Sequence, residues 1–260
     1  MHEDAAPIIV VENLTVAYGE ELVLDDISFT VKRGEVFIIL GGSGSGKSTL
    51  MKHMIGLHKP ASGSILIDGD DIIHAEGADR LKILRKFGVM YQSGALFGSM
   101  TLLENVCLPL NEYTDLPLPA MNLVARMKLK LVGLGGFGNH LPSELSGGMQ
   151  KRAAIARAMV LDPEILFLDE PSAGLDPITS AELDQLILEL SRNLKMTFVV
   201  VSHELSSIFQ IADRVIMLDG RAKSILTSGT PAELRDQSDN PLVRRFFNRE
   251  VMPGKEESSG

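Results

Sequence analysis

The sequence predicts an α/β fold: a mostly parallel sheet covered by helices, with a small antiparallel β subdomain beside it and an inserted α-helical subdomain. Three observations carry this. Residues 8–69 favour strands around a single helical pattern, residues 93–155 carry helical spacing almost without strand signals, and short buried strands alternate with helices from Ile165 to Leu218. Strands alternating with helices build a parallel sheet, and ligands bind at the carboxyl ends of its strands.

Ile8 to Val16 is rich in strand formers and closes at Tyr18-Gly19, and Leu22 to Val31 alternates well enough for a second strand. Lys32-Arg33-Gly34-Glu35 then turns the chain into the apolar run Val36-Phe37-Ile38-Ile39-Leu40. Directly after that run stands Gly41-Gly42-Ser43-Gly44-Ser45-Gly46-Lys47-Ser48-Thr49, which fits G-x-x-x-x-G-K-[ST]. A polyphosphate needs several donors converging on it, and side chains would crowd the approach. Glycines at 41, 44 and 46 let the backbone turn its N–H groups inward, and a helix beginning near Lys47 adds the positive end of its dipole. Lys47 places a charge on the β- and γ-phosphates, and the Ser48 hydroxyl can ligate Mg²⁺.

The helical pattern Leu50 to Ile55 follows, then a loop over His58 to Gly63 and a strand over Ser64 to Ile67. Arg80 to Phe87 reads as helix, and Gly88 to Tyr91 as a buried strand ending at Gln92. Helices are expected at Thr101 to Leu110, Leu118 to Val132 and Ser146 to Leu161. Gly133 to Gly138 matches G-x-G-x-x-G but follows a helix instead of a strand, so it reads as loop. Strands at Ile165 to Leu168, Thr197 to Val201 and Val215 to Leu218 then alternate with helices at Thr179 to Leu194 and Glu204 to Ala212. Thr230-Pro231-Ala232-Glu233 has the capping-box pattern of a helix start, and Asn240-Pro241 opens another helix carrying Phe246 and Phe247. The expected organisation is a core with β subdomain (8–92 and 156–236), a helical subdomain (93–155) and a C-terminal extension (237–260) whose end, from Gly254, reads as disordered.

Composition removes several classes. The net charge of −9 argues against nucleic-acid binding, which needs clustered Lys and Arg. Apolar runs are strand-length, well short of the eighteen or so residues that cross a bilayer. The acidic start Met1-His2-Glu3-Asp4 is unlike a secretory signal, which gives the expectation of a cytoplasmic protein whose membrane contact runs through a partner. The single cysteine, Cys107, reads as a small core residue.

The strand Ile165 to Leu168 delivers Asp169 and Glu170 to its carboxyl end. Asp169 is placed to hold Mg²⁺ through water, and Glu170 to orient or deprotonate the water that attacks the γ-phosphate. Before this strand, Leu145-Ser146-Gly147-Gly148-Met149 opens a helix, and Ser146 with the amides of Gly147 and Gly148 makes a second anion site. That segment resembles the LSGGQ signature of ATP-binding-cassette (ABC) ATPases. The resemblance covers residues 8–235 and implies a RecA-like P-loop core and two subunits closing head to tail around two ATP molecules. It also implies roles residue by residue: Gln92 for Mg²⁺ and the attacking water, Asp176 between subunits, His203 at the γ-phosphate, Tyr18 stacked on adenine.

Tyr91 to Phe97, Pro109 to Thr114, Asp176 to Thr179 and Met149 in place of the signature Gln are similar to the ATPases of the Mla and Mce lipid-transport systems. Gly42 stands where many cassettes carry Pro. The resemblance implies phospholipid transport between the bacterial inner and outer membranes and a peripheral place on the cytoplasmic face of the inner membrane. Its implied partners are integral membrane permease subunits, a lipid-binding MCE protein and a small regulatory subunit, and the C-terminal phenylalanines are expected to pack on the second copy. The competing expectation is a soluble ABC ATPase acting on ribosomes or DNA.

Overall fold

Alternation inside fully buried strands sets the architecture. The computed structural model describes residues 7–248, so the acidic start and the tail from Gly254 lie outside the described residues. Six strands form the large sheet: β3 (Val36–Gly41), β6 (Phe87–Met90), β7 (Ile165–Asp169), β8 (Thr197–Val201), β9 (Arg214–Asp219) and β10 (Ser224–Gly229). Their order is β10-β9-β3-β8-β7-β6, parallel except for β10, which runs antiparallel along β9. Both faces of the inner strands are apolar, and each residue parity meets a different layer. Val36, Ile38 and Leu40, with Leu166, Leu168, Phe198 and Val200, join the helical layer. Phe37 and Ile39, with Phe167, Val199 and Val201, join the layer beneath the second sheet.

That second sheet is antiparallel, in the order β2-β1-β4-β5: β1 (Pro7–Tyr18), β2 (Glu21–Lys32), β4 (Ser62–Ile67) and β5 (Asp70–Asp71). Leu14 and Val16 of β1 and Leu24 and Ile27 of β2 pack there with Leu50, Met51 and Met54 of α1 (Lys47–Met54). The helical layer contains α3 (Leu102–Tyr113), α4 (Leu118–Leu131), α5 (Gly147–Ala158), α6 (Pro177–Leu194), α7 (Leu205–Ile211), α8 (Pro231–Gln237) and α9 (Pro241–Asn248). α2 (Gly77–Leu84) lies at the other face, with Ile83 in the layer beneath the small sheet. Cys107 is buried in the helical layer, as expected of a small core residue. Among the described residues no helix is long and apolar enough to cross a membrane.

Four details depart from the sequence reading. The helix expected over Arg80 to Phe87 ends at Leu84, and Phe87 is the first residue of β6, where its ring packs edge-on against Phe167 at 5.4 Å. α3 runs through Pro109 to Tyr113, three residues past the expected end. Strand β10 was not signalled, because its residues are only partly buried and carry no strict alternation. Phe247 packs into its own subunit's core, 5.8 Å from the Phe209 ring, and Phe246 lies half-buried beside it. The expectation that these rings face a second copy is therefore corrected for Phe247, which is buried against α7 of its own chain.

Candidate active site

Four adjacent parallel strands, β3, β8, β7 and β6, end on one edge of the large sheet, and each delivers a predicted residue there. β3 leads into the Gly-rich loop, Lys47 and Ser48; β7 ends in Asp169, followed by Glu170. His203 lies two residues beyond β8, and Gln92 two residues beyond β6. The register pairs Asp169 with Val201 and Met90 with Leu168, so these connections leave the sheet at one level.

The loop after β3 is shaped by close approach. Gly41 has φ of +154°, and a Cβ there would sit 2.2 Å from Ser45 Oγ and 2.9 Å from the Leu218 carbonyl oxygen, so only glycine fits. Ser45 is buried, and its Oγ has no hydrogen-bond partner among the described residues. Lys47 Nζ donates to the Gly41 and Gly42 carbonyls, both at 2.9 Å. Burial lowers the Lys47 pKa, while the Glu170 and Asp169 carboxylates pull it back up. A half-buried ammonium, an orphaned hydroxyl and a helix N-terminus at one loop form a cradle suited to phosphate.

Ser48 Oγ donates to Asp169 Oδ1 at 3.2 Å. Burial pushes the Asp169 carboxyl up, the Ser48 bond opposes that, and Glu170 pushes in the same direction as burial. A hard cation beside this pair would relieve the crowding of negative charge. Among the described residues no cluster of three His, Cys, Asp or Glu could hold a metal alone. One carboxylate and one hydroxyl, with the remaining positions left to water and phosphate oxygens, is a donor set that fits Mg²⁺.

Glu170 occupies the left-handed region at φ +47°, and its N–H donates to the Val201 carbonyl at 2.9 Å. A non-glycine residue held there costs about 1–3 kcal/mol, the kind of strain that collects at functional sites. Its largely buried carboxylate accepts from His203 Nδ1 at 2.9 Å. A carboxylate within electrostatic reach of Lys47 is thus paired with an imidazole. Tyr18, half-exposed at the end of β1, stands beside α1, with its ring 6.5 Å from that of His53 and 6.3 Å from that of His58.

The signature residues form a separate group. Ser146 N-caps α5, accepting from the Met149 N–H at 3.3 Å. A Cβ on Gly148 would lie 2.3 Å from Thr179 Cγ2, so the helix start packs directly on the start of α6. Asp176 caps α6, accepting from the Ile178 and Thr179 N–H groups at 3.0 and 3.1 Å, and the Thr179 hydroxyl holds its carboxyl below the usual range. Among the described residues no hydrogen bond joins Ser146, Gly147 or Gly148 to the Gly-rich loop.

Sequence reasoning missed Lys151 and Arg157, cations on α5 that donate to carbonyls of the loop after Gln92. Their inward placement on α5 was the available signal. It also missed Asp184, which is buried on α6. Burial pushes its carboxyl up to about 6; the Ser207 hydroxyl alongside offsets part of this without reaching hydrogen-bond geometry, and Glu204 adds to the rise. The folded state therefore holds a proton that the unfolded chain has released between pH 3.8 and about 6. Stability from this group is present below the lower value and is lost as pH rises through the upper. At about 1.4 kcal/mol per pH unit the penalty at neutral pH is of order 3 kcal/mol. Asp184→Asn is expected to gain about 1–3 kcal/mol at pH 7.5, an advantage that shrinks below pH 6 in chemical denaturation. Equal gains at pH 4 and 7.5 would contradict this.

Comparison with known proteins gives one consistent family. The family model described as ABC transporter matches residues 24–173. The intermembrane phospholipid transport system ATP-binding protein MlaF of Escherichia coli is 41% identical over 249 residues, 95% of this chain and 91% of that protein. The probable ribonucleotide transport ATP-binding protein mkl of Mycobacterium tuberculosis is 43% identical over 92% of this chain, but the match spans 66% of that longer protein. Among solved structures, the dimeric post-hydrolysis state of the ATP-binding cassette MJ0796 bound to ADP and Pi matches with TM-score 0.77 at 33% identity, covering 85% of this chain and 98% of that one. The cbiO1 protein of Clostridium perfringens, part of an ABC transporter complex, matches with TM-score 0.81 at 30% identity, covering 94% and 99%.

Proposed function

This chain belongs to the ABC transporter family, and from that premise we propose that it is the ATP-binding and ATP-hydrolysing subunit of a transporter that moves phospholipid between bacterial membranes. The observation that carries the ATPase reading is the convergence of Lys47, Ser48, Asp169, Glu170, His203 and Gln92 on one edge of four adjacent strands. The cargo reading is supported by the likeness to MlaF over nearly the whole of both chains. The mycobacterial relatives carry a different cargo in their name and are matched over a smaller share of their length.

In this reading Tyr18 stacks on the adenine, and the loop from Gly41 to Thr49 and Lys47 hold the phosphates. Ser48, Asp169 and Gln92 would hold Mg²⁺, which would supply positive charge against the phosphates. Glu170 accepts the proton of the attacking water, and His203 fixes that carboxylate and reaches toward the γ-phosphate. Ser146, Gly147 and Gly148 of a second copy cap the same γ-phosphate, with Asp176 at the subunit boundary. The dimer closes only when the triphosphate bridges both chains, and binding energy realised in that closed state drives the motion. The loop after Gln92 passes the motion to permease subunits at the cytoplasmic face of the inner membrane, which dock in the cleft between core and helical subdomain. An MCE protein and a small regulatory subunit complete the assembly.

The test is the concentration dependence of turnover. ATP hydrolysis per chain is expected to fall on dilution, in step with the loss of dimer measured by analytical ultracentrifugation. Undiminished turnover in a monomeric sample would overturn the shared-site arrangement.

A further inference from the structure

The helix that carries the signature also grips the loop that carries Gln92. Lys151, one turn after Gly147 on α5, is buried, with 8% of its surface exposed, and its ammonium donates to the backbone carbonyl of Gln92. Six residues further along the same helix, the Arg157 guanidinium donates to the carbonyls of Gly94 at 2.8 Å and Ala95 at 2.7 Å. A Cβ on Gly94 would lie 3.5 Å from that of Ala154, so loop and helix are also in direct contact. Three carbonyls within four residues of loop are therefore held by two cations on one helix.

We propose that Lys151 is a positioning residue for ATP hydrolysis: it locks the Gln92 backbone to α5, so that Gln92 and Ser146 move as one body. α5 begins at Gly147 with Ser146 as its cap, and Lys151 lies five residues on, about 7.5 Å along a rigid helix. A displacement at either end of that short lever reaches the other undamped. An ammonium suits this place because it can be buried against a single backbone carbonyl.

The inference rests on the ATPase reading, and the experiment separates the two. In the full-length chain, Lys151→Met removes charge and donor at nearly constant volume, Lys151→Gln keeps a donor without the charge, and Lys151→Arg keeps both. The expected result is a fall in kcat of tenfold or more for Lys151→Met and an intermediate fall for Lys151→Gln. Lys151→Arg is expected to retain at least a third of the parent rate. Single-chain ATP affinity, measured by calorimetry, is expected to stay within twofold for all three. A kcat within twofold of the parent for Lys151→Met would overturn the proposal. So would parallel losses of affinity, melting temperature and kcat in Lys151→Met and Lys151→Gln, which mark a purely structural role. A parent chain without ATPase activity overturns the functional reading along with it.

Discussion

Glu170→Gln is expected to lower ATP turnover by about 10²–10⁴-fold, the range that general-base catalysis supplies, while ATP affinity changes little. The argument starts from position. The N–H bond to Val201 and the left-handed backbone fix the turn, and His203 Nδ1 fixes the carboxylate at 2.9 Å. Glutamine has the same shape and can still accept from His203 through its amide oxygen, so the pocket should persist. It cannot take a proton from water. The neighbouring Asp169 is no substitute, because its Oδ1 is engaged by Ser48 and its place is on the metal side. Removing a negative charge beside the triphosphate should, if anything, tighten ATP binding. With hydrolysis blocked, the closed dimer should accumulate in ATP and Mg²⁺ and be visible by size-exclusion chromatography. Steady-state turnover within twofold of the parent would remove Glu170 as the base.

How much of this was legible in the sequence follows from the range of the interactions. The Gly41–Thr49 cradle, the Asp176 cap and the Ser146 cap are built from residues within a few positions of one another, so their chemistry is written locally. The alternation of the buried strands gave the α/β class, since a fully apolar strand must be covered on both faces. The contacts that sequence could not reveal are long in range. Lys151 meets Gln92 across 59 positions, and Phe247 meets Phe209 across α8. Helical spacing says which face of α5 is inward but not which loop it will find there. For the same reason Phe247 of α9, expected to pack on a second copy, is instead buried in its own chain.

Lys47→Ala is expected to weaken ATP binding by at least about 10²-fold. The ammonium hovers over the loop on two carbonyl bonds at 2.9 Å, so it is already paired when no phosphate is present. Binding exchanges those bonds for charge-assisted ones to phosphate oxygens, each worth roughly 1.5–3 kcal/mol. Two such bonds amount to about 3–6 kcal/mol gross, the two surrendered carbonyl bonds take back part of that, and each 1.4 kcal/mol that remains is tenfold in affinity. The loss has a second source. Lys47 is one of the cations that offset Asp169 and Glu170, as their upward pull on its pKa records. Alanine leaves those carboxylates facing an incoming polyanion with less to balance them. Lys47→Arg is expected to rescue only in part, because a broad planar guanidinium does not occupy the place of the compact ammonium that sits over the Gly41 and Gly42 carbonyls. The measurement is the ATP- and Mg²⁺-dependent rise in melting temperature, which scales with the logarithm of ligand concentration over Kd. The parent should show it and Lys47→Ala should not at the same ATP concentration. An undiminished rise in the variant would contradict the assignment of this loop to the triphosphate.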